Sequence, residues 1–170
     1  AITPETCALL VEPIQAEVGI RVPAKGWLKE IQRICRTHNV LLILDEIQTG
    51  MGRTGADFCY RHEIDTPDGL TLGKALGGGI YPVSAFLARA DVMDVFGPGS
   101  HGSTFGGNPI AAAIGLEAIA MLREEKLSEK SAELGAHLKA RLAAIQSPLI
   151  KEVRGMGLLI GLEIDPAHAS

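Results

Sequence analysis

The sequence places a single lysine in a stretch that is otherwise made of glycine, small and aliphatic residues. Residues 70–79 read LTLGKALGGG, and Lys74 is the one charged residue among them. Such neighbours predict that the amine is partly shielded from water, which favours its neutral form and makes it available as a nucleophile or a base. The alternative is an ordinary surface lysine whose stem lies over apolar neighbours.

Two acids directly follow continuous apolar runs, Glu12 after residues 7–11 and Asp45 after residues 40–44. Such runs are typical of strands that are buried on both faces of a parallel sheet. Ligands of parallel sheets bind beyond the carboxyl ends of the strands, so Asp45 is a candidate site residue. The alternative is an acid that only solvates the end of a strand.

Three glycine-rich segments could bind phosphate. Residues 50–55 match G-x-G-x-x-G, but two acids separate them from the preceding apolar run and no helical pattern follows, so we do not predict a dinucleotide site. Residues 69–75 are one residue too short for a P-loop and have Ala75 where magnesium needs a hydroxyl. Residues 101–107 lie just before a helix start and could hold an anion, although a capped glycine turn would look the same.

The apolar spacing predicts how these segments are held. Trp27, Leu28, Ile31, Ile34 and Cys35 form one helical face between the first two strands, which makes a βαβ unit. Residues 82–88 form a further extended segment. Asn108 and Pro109 open a helix that ends near Glu125. One face of another helix is marked by Leu127, Leu134, Leu138, Leu142 and Ile145, and residues 150–164 form a hairpin.

The order of elements changes from α/β to α+β near Pro148. We therefore predict an α/β domain with a mostly parallel sheet and flanking helices over residues 1–147. Residues 148–170 are predicted to begin a second, incomplete domain.

Composition excludes several functions for the 170-residue chain. Its net charge of −4 argues against nucleic acid as a partner. The longest aliphatic run, residues 40–44, is far shorter than a membrane span. The five histidines lack metal-ligand spacing, so we expect no metal site. The three cysteines suggest no disulfide framework, which favours a reducing compartment.

Four segments together resemble the class III aminotransferases, which are pyridoxal phosphate (PLP) enzymes of fold type I. They are residues 11–17, 44–55, 72–79 and 101–109, and their order and spacing agree over essentially the whole chain. Residues 45–50 and 80–85 are most similar to those of the members that act on ornithine, with the members that act on acetylornithine close behind.

The resemblance implies the large PLP-binding domain of fold type I, followed by the start of a small α+β domain. It implies transfer of the δ-amine of ornithine to 2-oxoglutarate, giving glutamate semialdehyde and glutamate. The partners would thus be a small amino acid, a 2-oxo acid and a second copy of the chain. The implied location is the cytoplasm, or the mitochondrial matrix in a eukaryote.

The resemblance also assigns roles to residues of the cofactor site. Lys74 would hold PLP as an internal aldimine and then move the substrate proton. Asp45 would pair with the pyridine nitrogen, where a carboxylate about 4 Å from the ring cation gains about 4 kcal/mol at an effective dielectric constant near 20. Gln48 would bond the phenolic oxygen, and Thr104 the phosphate across the dimer interface.

Two further acids are implied to face the substrate. Glu12 would lie near the cofactor end of the substrate site. Glu17 would pair with a substrate-binding arginine, expected downstream of Ser170, and release it when the second substrate arrives.

Members of the class are much longer than this chain. We therefore expect an internal fragment that has little or no activity alone. The alternative is a truncated, non-catalytic relative that acts as a binding or assembly module. The sequence also departs from the usual pattern at Gly69, where an aliphatic residue is common and where glycine could loosen the strand before Lys74.

Overall fold

The chain forms a four-stranded sheet, a separate two-stranded hairpin and several helices. The computed structural model describes residues 2–168. Ala1, Ala169 and Ser170, at the ends of the two predicted domains, lie outside the described residues. The sheet strands are β1 (Ala8–Val11), β2 (Leu41–Asp45), β3 (Gly69–Leu72) and β4 (Ala85–Ala88), and the hairpin strands are β5 (Ile150–Met156) and β6 (Leu159–Ile164).

Four α-helices accompany these strands in the described part of the chain. They are α1 (Trp27–Thr37), α2 (Ala90–Met93), α3 (Pro109–Glu124) and α4 (Leu127–Ala143). Between residues 2 and 168, no helix is both long enough and apolar enough to cross a membrane.

The sheet has the order β1-β2-β3-β4, and its first three strands are parallel. The predicted βαβ unit is confirmed, with α1 connecting β1 to β2. The last strand, β4, is antiparallel to β3 and covers only the second half of the predicted extended segment. The chain must therefore reverse direction within residues 73–84, immediately after the strand that leads to Lys74.

The main core lies on one face of this sheet, contrary to the prediction that the strands are buried on both faces. Leu42 and Leu44 of β2 are fully buried beneath α1, whereas Leu10 on the opposite face is 61% exposed. Side chains alternate along a strand, so Asp45 lies on the second face, away from this core. The buried cluster contains Leu28, Cys35, Val40, Leu42, Leu44, Tyr60, Ile64, Leu70, Leu72 and Leu76.

Gly69 has a packing reason in β3. A side chain there would approach the ring of Phe86, a residue of β4, at 3.1 Å, and Ile43 of β2 at 3.2 Å. The Phe86 ring therefore uses the space that an aliphatic side chain would fill at this position.

The start of α3 is as predicted. The Asn108 side chain accepts a hydrogen bond from the Ala111 amide at 2.9 Å, and Pro109 is the first helical residue. This cap satisfies one of the free amides that every helix start exposes.

The buried face of α4 differs from the predicted leucine face. Leu134 and Leu138 are 55% and 42% exposed, whereas Ser128, Ser131 and Gly135 are buried. Small residues lie inward because the turn of the β5–β6 hairpin approaches the helix too closely for leucine. The spacing of leucines alone could not indicate this, because it records apolar character and not the distance to the neighbouring backbone.

Gly157, in the hairpin turn, fits between α4 and the loop after β2. A Cβ atom on Gly135 would lie 1.9 Å from the Gly157 carbonyl oxygen, and one on Gly157 would lie 2.4 Å from the Thr54 carbonyl carbon. The Arg53 carbonyl accepts hydrogen bonds from the Ser131 hydroxyl at 2.9 Å and from the Leu158 amide at 3.0 Å. Backbone contact therefore joins the helix, the hairpin and the loop.

This contact predicts opposite effects for the same substitution in two helices. Gly135→Ala should lower the free energy of unfolding by about 3 kcal/mol, because the new methyl group overlaps the hairpin backbone. Gly115→Ala in α3 is the matched control, since its nearest neighbours would be 3.8 Å away. It should raise stability by about 0.5–1 kcal/mol through helix propensity. Urea unfolding of both variants measures the difference, and equal stabilisation would disprove the close approach at Gly135.

Candidate functional site

Asp45 and Lys74 lie at the same edge of the sheet. Asp45 is the last residue of β2 and is in register with Thr71 of the parallel strand β3. Lys74 follows two residues after β3 and opens a short 3-10 turn, Lys74–Gly77. Parallel pairing thus brings the two predicted residues to one carboxyl edge, as expected for a ligand site in such sheets.

The backbone at Lys74 has a φ of 46°, in the left-handed region. Non-glycine residues rarely adopt this conformation, and those that do are concentrated at functional sites. The buried side chains of Leu72 and Leu76 anchor the chain on both sides of Lys74, and the Leu76 amide donates to the Gly73 carbonyl at 3.0 Å. These anchors hold the lysine in its conformation.

The prediction that Lys74 is shielded from water is wrong for this chain, because the residue is exposed. Leu72 and Leu76 point into the core and not over the amine. The neighbouring glycines have no side chains that could cover it. The composition of a segment does not record the directions in which its side chains point, and here they diverge.

Lys74 and Gln48 line one cleft of about 670 Å³. The loop after β2 and the turn after β3 form one side of the cleft, and α3, the start of α4 and the hairpin form the other. Sequence reasoning missed Arg53, a second cation that lines this cleft. The only signal for it was its place in the G-x-G-x-x-G segment.

The glycines of that segment serve packing. Gly52 and Gly55 have φ values of 83° and 92°, and Cβ atoms there would meet Leu122 at 2.7 Å and Ala132 at 3.0 Å. The segment therefore carries the loop after β2 closely past α3 and α4. The next helical element is a four-residue 3-10 turn, Cys59–His62.

Two of the predicted acids, Glu12 and Glu17, lie on the loop that follows β1, and the third, Asp45, ends β2. The Gln48 amide donates to Glu17 at 3.3 Å, which joins the two loops. Glu12 accepts the Ala16 amide at 3.0 Å. Asp45 accepts the Ile47 amide through Oδ1 at 3.0 Å, and no donor within residues 2–168 bonds its Oδ2. Three carboxylates therefore lie at the edge of the sheet that also carries Lys74.

The structure does not bring Thr104 into the Lys74 cleft. Thr104 is exposed, and its neighbours Ser103 and Phe105 line another cleft of about 440 Å³ with Tyr81 and Ser84. Within the described residues, this predicted phosphate ligand therefore stands apart from the predicted amine.

Glu46, next to Asp45, is a buried carboxylate that the sequence did not single out. Its two oxygens accept the backbone amides of Cys59 at 2.6 Å and Tyr60 at 2.8 Å, and the residue is 1% exposed. Burial raises the pKa of Glu46 to about 7, although the two amides oppose the shift. Glu46 thus fixes the turn that carries Asp45 and Gln48.

The raised pKa predicts how stability depends on pH. The folded chain holds the Glu46 proton up to about pH 7, whereas the unfolded chain releases it near pH 4.5. The contribution of this proton to the free energy of unfolding is complete below about pH 4.5. It decreases by about 1.4 kcal/mol per pH unit and is lost at about pH 7. Glu46→Gln should remove this slope in urea unfolding measured between about pH 5 and 8.

Glu133→Gln, at an exposed position of α4, is the control and should keep the slope of the unsubstituted protein. If the stability curves of Glu46→Gln and the unsubstituted protein run parallel over this range, Glu46 does not titrate there.

Comparison with known proteins identifies relatives along the whole chain. The family described as aminotransferase class-III matches residues 1–170. The chain is 53% identical over 169 residues to an ornithine aminotransferase of Bacillus cereus (strain 03BB102), and 53% identical over 167 residues to that of Bacillus subtilis (strain 168). These alignments cover 99% and 98% of this chain but 43% and 42% of the relatives, so the chain spans less than half of their length.

The solved structures that are similar to this chain are aminotransferases as well. An ornithine aminotransferase from Toxoplasma gondii ME49 matches with a TM-score of 0.92 and 50% identity over 95% of this chain and 39% of its own. An acetylornithine aminotransferase from Elizabethkingia anophelis matches with a TM-score of 0.92 and 49% identity, over 96% of this chain and 41% of its own. Another Toxoplasma gondii ornithine aminotransferase structure, with a TM-score of 0.91 and 50% identity over 94% and 38%, has PLP at partial occupancy in its active site.

The predicted α/β fold and the resemblance are thereby confirmed, and PLP is the cofactor of this family. The chain belongs to the class III aminotransferases.

Proposed function

We propose that the complete protein transfers the δ-amine of ornithine to 2-oxoglutarate, and that this chain supplies the lysine side of its active site. The names and the 53% identity of the Bacillus relatives support the substrate. The observation that carries the proposal is the position of Asp45 and Lys74 at the carboxyl ends of adjacent parallel strands, with Gln48 and Lys74 on one cleft.

The residues at this edge fit PLP. The exposed Lys74 amine is accessible to an aldehyde. The Oδ2 atom of Asp45, which no donor in the described part of the chain bonds, can accept a ring N–H while Ile47 holds Oδ1. We propose that Gln48 bonds the phenolic oxygen and that Thr104 binds the phosphate. When bound, PLP supplies an aldehyde that forms an imine with an amine and a ring that withdraws electrons from the substrate carbon.

Asp45 would keep the ring nitrogen protonated. A carboxylate about 4 Å from a pyridinium gains about 4 kcal/mol at an effective dielectric constant near 20, before desolvation is subtracted. Its Oδ1 bond to the Ile47 amide fixes the carboxylate plane, so the other oxygen keeps one direction.

Lys74 would carry the proton of the reaction. Its Nζ atom would accept the proton from the δ-carbon of the amino acid and would return it later in the reaction. The left-handed backbone conformation at residue 74 fixes the position of its Cα atom beside the cleft. A base that is held in position contributes typically about 10²–10⁴-fold to the rate.

Glu12 and Glu17 would select the substrate. We propose that Glu12 lies near the cofactor end of the substrate site. We propose that Glu17 pairs with a substrate-binding arginine and moves away from it when 2-oxoglutarate, with its second carboxylate, binds. Its exposed position and its single side-chain hydrogen bond to Gln48 within the described residues support such a displacement.

Acetylornithine is the second candidate donor, because the Elizabethkingia structure matches this chain with the same TM-score as the Toxoplasma one. Acetylation changes the charge at one end of the donor. Turnover of ornithine and of N-acetylornithine by the complete gene product therefore separates the two candidates.

We further propose that the protein is a homodimer in which Thr104 reaches the cofactor of the other subunit. The separate cleft beside Thr104 supports this arrangement. Residues 1–147 would belong to the large domain and residues 148–170 would begin the small domain, in agreement with the separate β5–β6 sheet. The bacterial relatives and the free cysteines support a cytoplasmic location.

Lys74→Ala tests the proposed function in the complete gene product. The unsubstituted protein should gain a visible absorbance band with PLP and, after borohydride reduction, a covalent adduct on the peptide containing Lys74. Lys74→Ala should lose both and lower kcat by about 10³-fold, because the proposed base is removed. Lys29→Ala, at an exposed position of α1, is the control and should retain all three properties. A colourless unsubstituted protein that still dimerises would instead favour a non-catalytic module.

Residues 1–170 alone should show no transamination. The chain spans about 43% of its relatives, Lys74 is exposed, and Thr104 lies apart from the Lys74 cleft. The measurement is glutamate formation from ornithine and 2-oxoglutarate by the purified chain. Measurable turnover would show that these residues already form a complete site.

A further inference from the structure

Arg154 of β5 forms a contact that the proposed function does not use. Its Nε donates to the carbonyl oxygens of Gly19 at 2.9 Å and Ile20 at 3.1 Å, and its Nη2 donates to Gly19 at 2.7 Å. About 135 residues separate the partners along the chain. The guanidinium thus ties the hairpin to the loop that follows β1.

Two carboxylates hold this guanidinium in place. Its Nη1 donates to Glu152 at 2.6 Å and also to Glu163 of β6. The arginine side chain is only 20% exposed. Planar guanidinium groups form directional bonds at several nitrogens, and an ammonium cannot reproduce this pattern. The hairpin therefore presents a pre-oriented donor to the loop.

The loop that receives these bonds is closed and carries Glu17. Backbone bonds join Gln15 and Arg21 in both directions, at 3.2 and 2.8 Å. Inside it, the amides of Gly19 and Ile20 donate to the Ala16 carbonyl at 3.1 and 3.2 Å. The carbonyls of Gly19 and Ile20 thus meet Arg154, while Glu17 meets Gln48.

We propose that Arg154 is a positioning residue that sets the place of Glu17 and thereby the balance between the two substrates. This inference rests on the proposed function. In the proposed function Glu17 pairs with the arginine that the second substrate needs, and the strength of this pairing depends on the distance between the two charges. Within residues 2–168 the exposed Glu17 side chain has one hydrogen bond, from Gln48 at 3.3 Å, which holds it weakly. The Arg154 bonds hold the loop backbone.

The first test follows the loop itself. Hydrogen exchange in the complete gene product should be about tenfold faster at the amides of Gly19, Ile20 and Arg21 in Arg154→Met, because the loop loses its anchor. Arg154→Lys keeps the charge beside both carboxylates and should show a smaller increase with the fold retained. The control is Arg141→Met, at an exposed position of α4, which should not change exchange there.

The second test follows the substrates. Arg154→Lys should raise the KM for ornithine relative to the KM for 2-oxoglutarate by about tenfold, with kcat largely retained. In a Glu17→Gln background the same substitution should leave this ratio unchanged, because the charge that Arg154 positions is gone. A purely structural role would give the same effect in both backgrounds.

The outcomes separate the two proposals. If the unsubstituted protein transaminates neither donor, the proposed function is wrong, and loop exchange still tests the anchor. If it is active and Arg154→Lys changes neither loop exchange nor the KM ratio, Arg154 does not position Glu17. Faster exchange with an unchanged KM ratio would also overturn the substrate role.

Discussion

The parallel pairing of β1, β2 and β3 is the constraint on which the candidate site depends. Parallel strands end at one edge, so the residues that follow them meet there although they are distant in sequence. Asp45 and Lys74 come together in this way, and the loop after β1 brings Glu12 and Glu17 to the same edge. Neither helix packing nor the hairpin could substitute for this alignment.

Much of this arrangement could be predicted from local sequence. The apolar runs before Glu12 and Asp45, the helix between them and the Asn108–Pro109 cap all follow from short-range preferences. The candidate edge could be predicted as well, because it depends only on strand direction. These features need no knowledge of how distant segments pack.

Features set by side-chain direction or by distant backbone could not be predicted. The exposure of Lys74 depends on where Leu72 and Leu76 point, and the inward face of α4 depends on how closely Gly157 approaches Gly135. In sequence, Glu46 resembles any acid at a strand end. Its role depends on the backbone amides of Cys59 and Tyr60, which donate to its carboxylate. The link from Arg154 to the loop after β1 gave no signal, because the main-chain oxygens that it bonds there lie about 135 residues away.

The contact of Gly157 with Gly135 and Thr54 also bears on the order of assembly. The β1–β3 sheet needs only the first half of the chain, whereas docking the hairpin closes a loop of about a hundred residues between Thr54 and Gly157. Closing a long loop costs more chain entropy than pairing segments that are close in sequence, so contacts across the loop form more slowly. Folding chains would therefore bring Asp45 and Lys74 to one edge before β5 and β6 dock beside them.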